Sequence, residues 1–371
     1  MATGGGLLCG LLLCEVALRV ADIRPQIPIS KRRLIVPDNP KIAFHCYSSN
    51  PNGELEALPD LDHGLWKLTT YTFEPDDLPL GQATETPWCV RYDFSSQGFR
   101  DREYIEPPAD GVLRIAVIGD SFVFGEGVSE GLTLSRQISR LLGDNTEVLN
   151  AGMVGANMPQ ERRTLERVLE KNHSRRILFV FIPNDIPLTV ALEQRQDYIN
   201  DLVVMRDTHL TDHQNNAWYA GHLRTLHFAG LFLAMRRIQY ETIQWYRDSY
   251  NPDFNGRNMK AFEQDIRSLA SIPNCQVAFV LYPLMIGFES GYPLSSIHEY
   301  VVQIAETAGI PVLDLAEAFA GQKTESLWVH PTDHHPNGVA HAIAAERIVH
   351  WLNSEVPQFL ESGSSDHGSA E

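Results

Sequence analysis

Arg114-Ile-Ala-Val-Ile-Gly-Asp-Ser-Phe-Val-Phe-Gly-Glu-Gly127 reads as a buried strand running into a glycine-flanked turn. Ile115 to Ile118 are apolar and mostly β-branched, the pattern of a parallel strand covered on both faces. Gly119-Asp120-Ser121 then ends the strand, so a serine hydroxyl arrives at the carboxyl edge of a sheet. In open α/β sheets ligands bind at that edge, because the loops leaving the strands form a crevice into which the next helix points its N-terminus. A serine there is placed as a nucleophile. Its hydroxyl needs a base, and the base needs an orienting carboxylate.

Downstream the same device recurs. Leu132 to Leu142 has helical spacing, with Leu134, Ile138, Leu141 and Leu142 on one side. Glu147 to Met153 is a second strand, and Gly152 at its end lets the backbone approach a substrate closely. Pro159 to Glu170 predicts a helix, and Arg176 to Ile182 a third strand that ends at Pro183-Asn184-Asp185. A helix over Lys260 to Leu269, a strand over Cys275 to Tyr282, a helix over Ser296 to Ala308 and a short strand over Ile310 to Asp314 follow. Asn337 to Leu352 is a final amphipathic helix with Val339, Ile343 and Ile348 as its apolar positions. Alternating strands and helices predict an α/β domain with a parallel sheet.

The missing base and carboxylate lie near the other end, in His330-Pro-Thr-Asp-His-His-Pro-Asn-Gly338. Gly119-Asp120-Ser121-Phe122, Asn150-Ala151-Gly152, Asn184-Asp185 and Asp333-His334-His335-Pro336 resemble, in order, the four sequence blocks of the SGNH (GDSL-type) hydrolases. The resemblance covers residues 90 to 353, and four ordered blocks are far more specific than any one of them. It implies a three-layer α/β/α sandwich, flavodoxin-like in its central parallel sheet, and a serine esterase. It implies Ser121 as nucleophile, His335 as base and Asp333 as the carboxylate that orients it. The oxyanion hole is implied to be the backbone N–H groups of Ser121 and Gly152 with the Asn184 amide, while Asp120, Asn150, Asp185 and His334 stand as supporting residues. Two departures matter. Asp333 precedes His335 by two residues where the family has three, with Thr332 in the expected place, so the base is open between His334 and His335. Ile182 stands where the third block has glycine, which predicts a tighter loop at Asn184.

The chain has 371 residues, 43% of them hydrophobic, and a net charge of −17. Such an acidic balance excludes nucleic acid as a partner, since nothing basic and clustered offsets phosphate repulsion. Residues 1–21 read as a signal-like segment: Leu7 to Val20 is apolar except for Glu15 and Arg19, too short to span a bilayer and without a positive flank. An atypical anchor would give membrane association and an extracytoplasmic site. An amphipathic helix lying on the domain would leave the protein in the cytoplasm. Residues 22–110 read as a β-rich extension, with strand-like runs over Lys67 to Phe73 and Val90 to Phe94; in it Phe99 and Arg100 either close one side of the site or form a packed loop. The hydrolase domain is then 111–356, interrupted at 187–265 by an aromatic-rich helical insertion of the kind that forms a lid or substrate wall, and 357–371 is expected to be a disordered tail. Cys46 and Cys89 can pair in an exported protein, leaving Cys275 as a buried thiol.

The expected activity is removal of a short acyl group from a carbohydrate or small alcohol. Transfer of that acyl group to a sugar hydroxyl is a second enzymatic reading, and a non-catalytic carbohydrate-binding protein on the same fold is a third. A metal held by His330, Asp333, His334 and His335 is chemically possible, but it leaves the strand-end serine without a role. The glycines after Ser121 lack the spacing of a dinucleotide loop. No cofactor and no metal is expected, and no oligomeric state is implied.

Overall fold

The computed structural model describes residues 2–23, 31–35, 41–48, 58–60, 65–67, 88–215, 223–330 and 333–361. The chain opens with α1 (Ala2–Val20), then β1 (Lys31–Ile35), β2 (Ile42–Ser48), β3 (Leu58–Asp60), β4 (Leu65–Lys67) and β5 (Trp88–Asp93). The alternating stretch follows as β6 (Leu113–Gly119), α2 (Ser121–Phe124), α3 (Leu134–Leu142), β7 (Thr146–Gly152), α4 (Met158–Lys171) and β8 (Arg176–Phe181). Long helices α5 (Val190–Asn215), α6 (Arg224–Ser249) and α7 (Pro252–Leu269) precede β9 (Gln276–Leu281). After these come α8 (Ser295–Thr307), β10 (Val312–Asp314), the hairpin β11 (Trp328–His330) with β12 (Asp333–Pro336), and α9 (Gly338–Ser354).

One compact unit comprises residues 30–187 and 256–371. Its five-stranded sheet has the order β10-β9-β8-β6-β7, every pairing parallel. Counted along the chain within this sheet, the order is 2-1-3-4-5. The connections leaving β6 therefore diverge between β6 and β8, the switch point at which open sheets form a crevice. Successive residues of a strand face opposite sides. Ile115, Val117, Leu178, Val180 and Val280 pack with Leu134 and Ile138 of α3 and with Ala340, Ala344 and Ile348 of α9. On the other face Phe181 meets Phe262 of α7 at 5.1 Å between ring centroids. The result is a three-layer α/β/α sandwich.

The buried face of α9 is Ala340, Ala344, Ala345, Ile348 and Leu352, whereas Val339 is 59% exposed. The reading of Val339 as a core position is thus corrected: in the helix's first turns the alanines face the sheet, and Ile348 and Leu352 continue that face. In α3 (Leu134–Leu142), Leu134 and Ile138 are buried but Leu141, on the same stripe and in the helix's last turn, is exposed. The tail also starts later than expected. Phe359 is buried and the Arg176 guanidinium donates to the carbonyls of Phe359 (3.1 Å) and Glu361 (2.7 Å), so residues 357–361 are part of the packed unit.

The N-terminal extension belongs to this unit too. β1, β2 and β5 form an antiparallel sheet, and Ala43, Val90, Tyr92 and Phe94 pack on Phe124, Val128 and Val329. Its register sets Cys46 directly opposite Cys89. Of the strand expected over Lys67 to Phe73, Lys67 ends β4 and residues 68–73 lie outside the described residues.

The second unit comprises residues 1–29 and 188–255, which joins the N-terminal segment to the insertion and shortens the latter from 187–265: Phe262 and Ile266 of α7 are core residues of the first unit. Within the second unit α1 is tied to the start of α6 by Glu15, whose carboxylate accepts from Arg224 N (3.0 Å), Thr225 N (2.8 Å) and Thr225 Oγ1 (2.7 Å). Those bonds, the Thr225 hydroxyl's first, hold the Glu15 carboxyl down at about 2. Trp245 packs with Leu192 and Ile199, and its indole N–H donates to Leu192 O at 2.8 Å, so that ring serves the unit's own core. Trp218, Tyr219 and His222 lie outside the described residues. Among the described residues no helix is long and apolar enough to cross a membrane.

Candidate active site

Gly119 is required by space: a Cβ there would lie 2.6 Å from Val123 Cγ2 and 2.7 Å from Val180 O. With that approach allowed, β6 turns directly into α2. Asp120 caps the helix, its carboxylate accepting from Phe122 N at 2.8 Å. Ser121 is the first helical residue and 6% exposed. Its Oγ lies 2.9 Å from His335 Nε2 and 3.2 Å from Asp120 Oδ2. The single hydroxyl proton serves one of them at a time.

The choice between His334 and His335 follows from strand alternation. Asp333, His334 and His335 are consecutive residues of β12, so positions 333 and 335 share a face and 334 takes the other. His335 Nδ1 is 2.5 Å from Asp333 Oδ1, while the His334 ring stacks on Trp328 with centroids 3.9 Å apart. Thr332 lies outside the described residues. Asp314, the other strand-end aspartate, is engaged by His298 Nδ1 at 2.7 Å.

The second and third blocks come to the same rim. Asn184 Nδ2 donates to Asp120 Oδ2 at 3.0 Å, and Asn150 Nδ2 reaches Phe124 O at 3.4 Å. Asp185 closes the turn before it, accepting from Ile182 N at 2.6 Å. Gly152 differs from expectation. Its N–H donates to Asn150 Oδ1 at 3.1 Å, and an added Cβ would lie 2.0 Å from Phe124 N. The backbone of α2 by itself demands a glycine here. Gly152→Ala is accordingly expected to cost about 1–3 kcal/mol in chemical denaturation; an unmoved midpoint would show that the strand end has room.

Several further charged groups are buried around Ser121, of which only Arg100 stood out in the sequence. Arg100 is buried, donates to Phe124 O at 2.9 Å and to Gly125 O and Val128 O, and lies 4.0 Å over the Tyr92 ring. It pins the loop after Ser121 from behind, which resolves the open reading of that arginine toward a packed loop. Burial brings its guanidinium down to about 10. Glu126 Oε2 sits 3.3 Å from His335 Nε2. Glu161 is buried in the first turn of α4, a place that in sequence reads as an ordinary dipole-favoured surface glutamate. Burial pushes the carboxyls of Asp120, Glu161 and Asp185 upward; Asp120 adds to the rise at Glu161, and both add to the rise at Asp185. The four residues of the rival metal reading do not converge: among the described residues the group with ligand atoms mutually within 4.8 Å is His45, Glu126 and Asp333.

Three blocks at strand ends of a parallel sheet of order 2-1-3-4-5 and a fourth on the hairpin strand β12, far apart in the chain, thus meet around Ser121. The fold is the three-layer α/β/α sandwich expected from the sequence. No family model matches the chain, and no curated protein does. Among solved structures, the chain is similar to a carbohydrate acetylesterase family member from Sinorhizobium meliloti, at 12% identity over 67% of this chain and 99% of that one, TM-score 0.37. It is similar to the lipase/acylhydrolase from Enterococcus faecalis at 16% identity over 65% and 95%, TM-score 0.35. It is also similar to a member of the lipolytic protein G-D-S-L family from Veillonella parvula DSM 2008 at 11% identity over 66% and 100%, TM-score 0.33.

Proposed function

We propose that the chain is a serine esterase of the SGNH type that removes a short acyl group from a carbohydrate or small alcohol. The observation that supports this is the array in which Ser121 Oγ is 2.9 Å from His335 Nε2 and His335 Nδ1 is 2.5 Å from Asp333 Oδ1. In this reading Nε2 takes the Oγ proton as Oγ attacks the acyl carbonyl, Asp333 fixes the tautomer with the proton on Nδ1, and the imidazolium then protonates the leaving alcohol. Water repeats the sequence on the acyl-enzyme. The oxyanion is received by the backbone N–H of Ser121, by that of Gly152 shared with Asn150, and by the Asn184 N–H not given to Asp120. Donors held in a buried site before the reaction need no reorganisation as charge develops.

Treatment of the full chain with a fluorophosphonate, peptide mapping and a panel of acetyl to butyryl esters of sugars and small alcohols tests the reading. Phosphonylation at Ser121 with turnover of short esters is the expected result. Folded protein that takes up no label and turns over no ester would leave a non-catalytic binding protein on this fold.

A further inference from the structure

Asp333 holds one ring nitrogen of His335; a second carboxylate stands at the other. Glu126 Oε2 lies 3.3 Å from Nε2, the nitrogen that also faces Ser121 Oγ at 2.9 Å. Glutamate between two glycines of a turn is ordinarily a solvent residue, yet Glu126 is 8% exposed. Its Oε1 is 3.7 Å from His45 Nδ1. His45 Nδ1 is in turn 2.9 Å from the Tyr92 hydroxyl, and that hydroxyl accepts from Gly127 N at 2.7 Å. The antiparallel sheet of the N-terminal extension, carrying His45 and Tyr92, thereby forms the wall behind Glu126.

We propose that Glu126 is a positioning residue for the base, a second carboxylate that accepts the Nε2 proton of His335 once Ser121 has released it. The proposal rests on the esterase reading and adds to it the group that sets the strength of the base. In the neutral ring, Nδ1–H donates to Asp333 and the Nε2 lone pair faces the Ser121 hydroxyl. A carboxylate has no proton to offer that lone pair. When the Oγ–H bond breaks and Nε2–H forms, Oγ bonds to the acyl carbon and the carbonyl π pair moves onto its oxygen. Nε2–H then needs an acceptor, and Glu126 supplies it. An interaction made only after proton transfer lowers the barrier without deepening the ground state. As the C–O bond to the leaving group breaks, the Nε2 proton passes to that oxygen and the neutral ring returns.

The charged and titratable neighbours come from every element around the ring. Asp120 comes from the turn after β6, Asp333 from β12, His330 from β11, His45 from β2 and Tyr92 from β5. Arg100 lies over Tyr92, and His341 of α9, held down at about 3 by burial and by the charges of Arg100 and His335, is neutral. Glu126→Gln leaves this set in place and removes one negative charge.

The test is the pH dependence of fluorophosphonate labelling of Ser121 in the full chain and in Glu126→Gln, read by intact mass. Labelling falls on the acid side as His335 takes up a proton and stops accepting one from Ser121. Removing a carboxylate 3.3 Å from Nε2 makes the imidazolium less stable. The acid midpoint is therefore expected to move down by about 1 pH unit, with a plateau rate about tenfold lower. Glu126→Asp, which keeps the charge but withdraws it by one methylene, is expected to fall between the two, and it carries the test if the glutamine variant does not fold. A glutamate that only held the turn together would lower the labelled fraction without moving the midpoint, and an unmoved midpoint overturns the proposal. Wild-type protein that is never labelled removes the esterase reading and this proposal together; labelled wild type with unmoved variants removes this proposal alone.

Discussion

Ser121→Ala is expected to lower ester turnover by about 10⁶-fold and to abolish fluorophosphonate uptake, with the fold intact. The fold should survive because the hydroxyl is not what shapes the turn. Asp120 keeps its bonds from Phe122 N and from Asn184 Nδ2, and Gly119 still admits Val123 and Val180. What disappears is the atom that bonds to the acyl carbon. About 10³–10⁴-fold of catalysis over water can outlast such a loss when oxyanion donors and binding remain, so residual turnover should be measured against the uncatalysed rate. Turnover within tenfold of wild type would assign the chemistry to another nucleophile and remove the mechanism.

The second large effect separates two adjacent histidines. His335→Ala is expected to cost about as much as loss of the serine, near 10⁶-fold, because the hydroxyl then has no base. His334→Ala should stay within a few-fold, since its ring lies on the Trp328 side of β12 and loses only a stacking contact there. Asp333→Asn should fall between them, at about 10⁴-fold, by favouring the wrong tautomer of His335. Steady-state kinetics on the best ester of the panel checks all three. An inactive His334 variant beside an active His335 variant would reverse the assignment.

The residues that make the site were readable to different depths. Strand ends announce themselves, because an apolar run that stops at a polar residue has a local cause: burial ends there. Ser121 and Asn184 were found in that way, and the search for a base and the resemblance to SGNH blocks added the Asp333 to His335 segment. Glu126 was in the quoted stretch but looked like an exposed turn residue, and nothing in its neighbours names His45 or Tyr92. Glu161 looked like a helix-start glutamate. Gly152 was recognised as a place of close approach, but the partner turned out to be the backbone of α2.

Hydrophobic period and turn chemistry, which act over a few residues, determined from the sequence alone that this is an α/β chain with a parallel sheet and a serine at a strand's carboxyl end. Only the tertiary structure decided which groups surround that serine. Ser121 and His335 are 214 positions apart and touch because the sheet order brings β6 beside β8 while α9 returns the C-terminal hairpin to the same rim. Strand alternation, visible once β12 is known to be a strand, put the His335 ring beside Asp333 and Ser121 and the His334 ring on Trp328. The N-terminal sheet became a wall of the site because Ala43, Val90 and Tyr92 had to bury an apolar face and found one at Phe124 and Val128. Burial of that kind is cooperative across distant segments, and no local pattern encodes it.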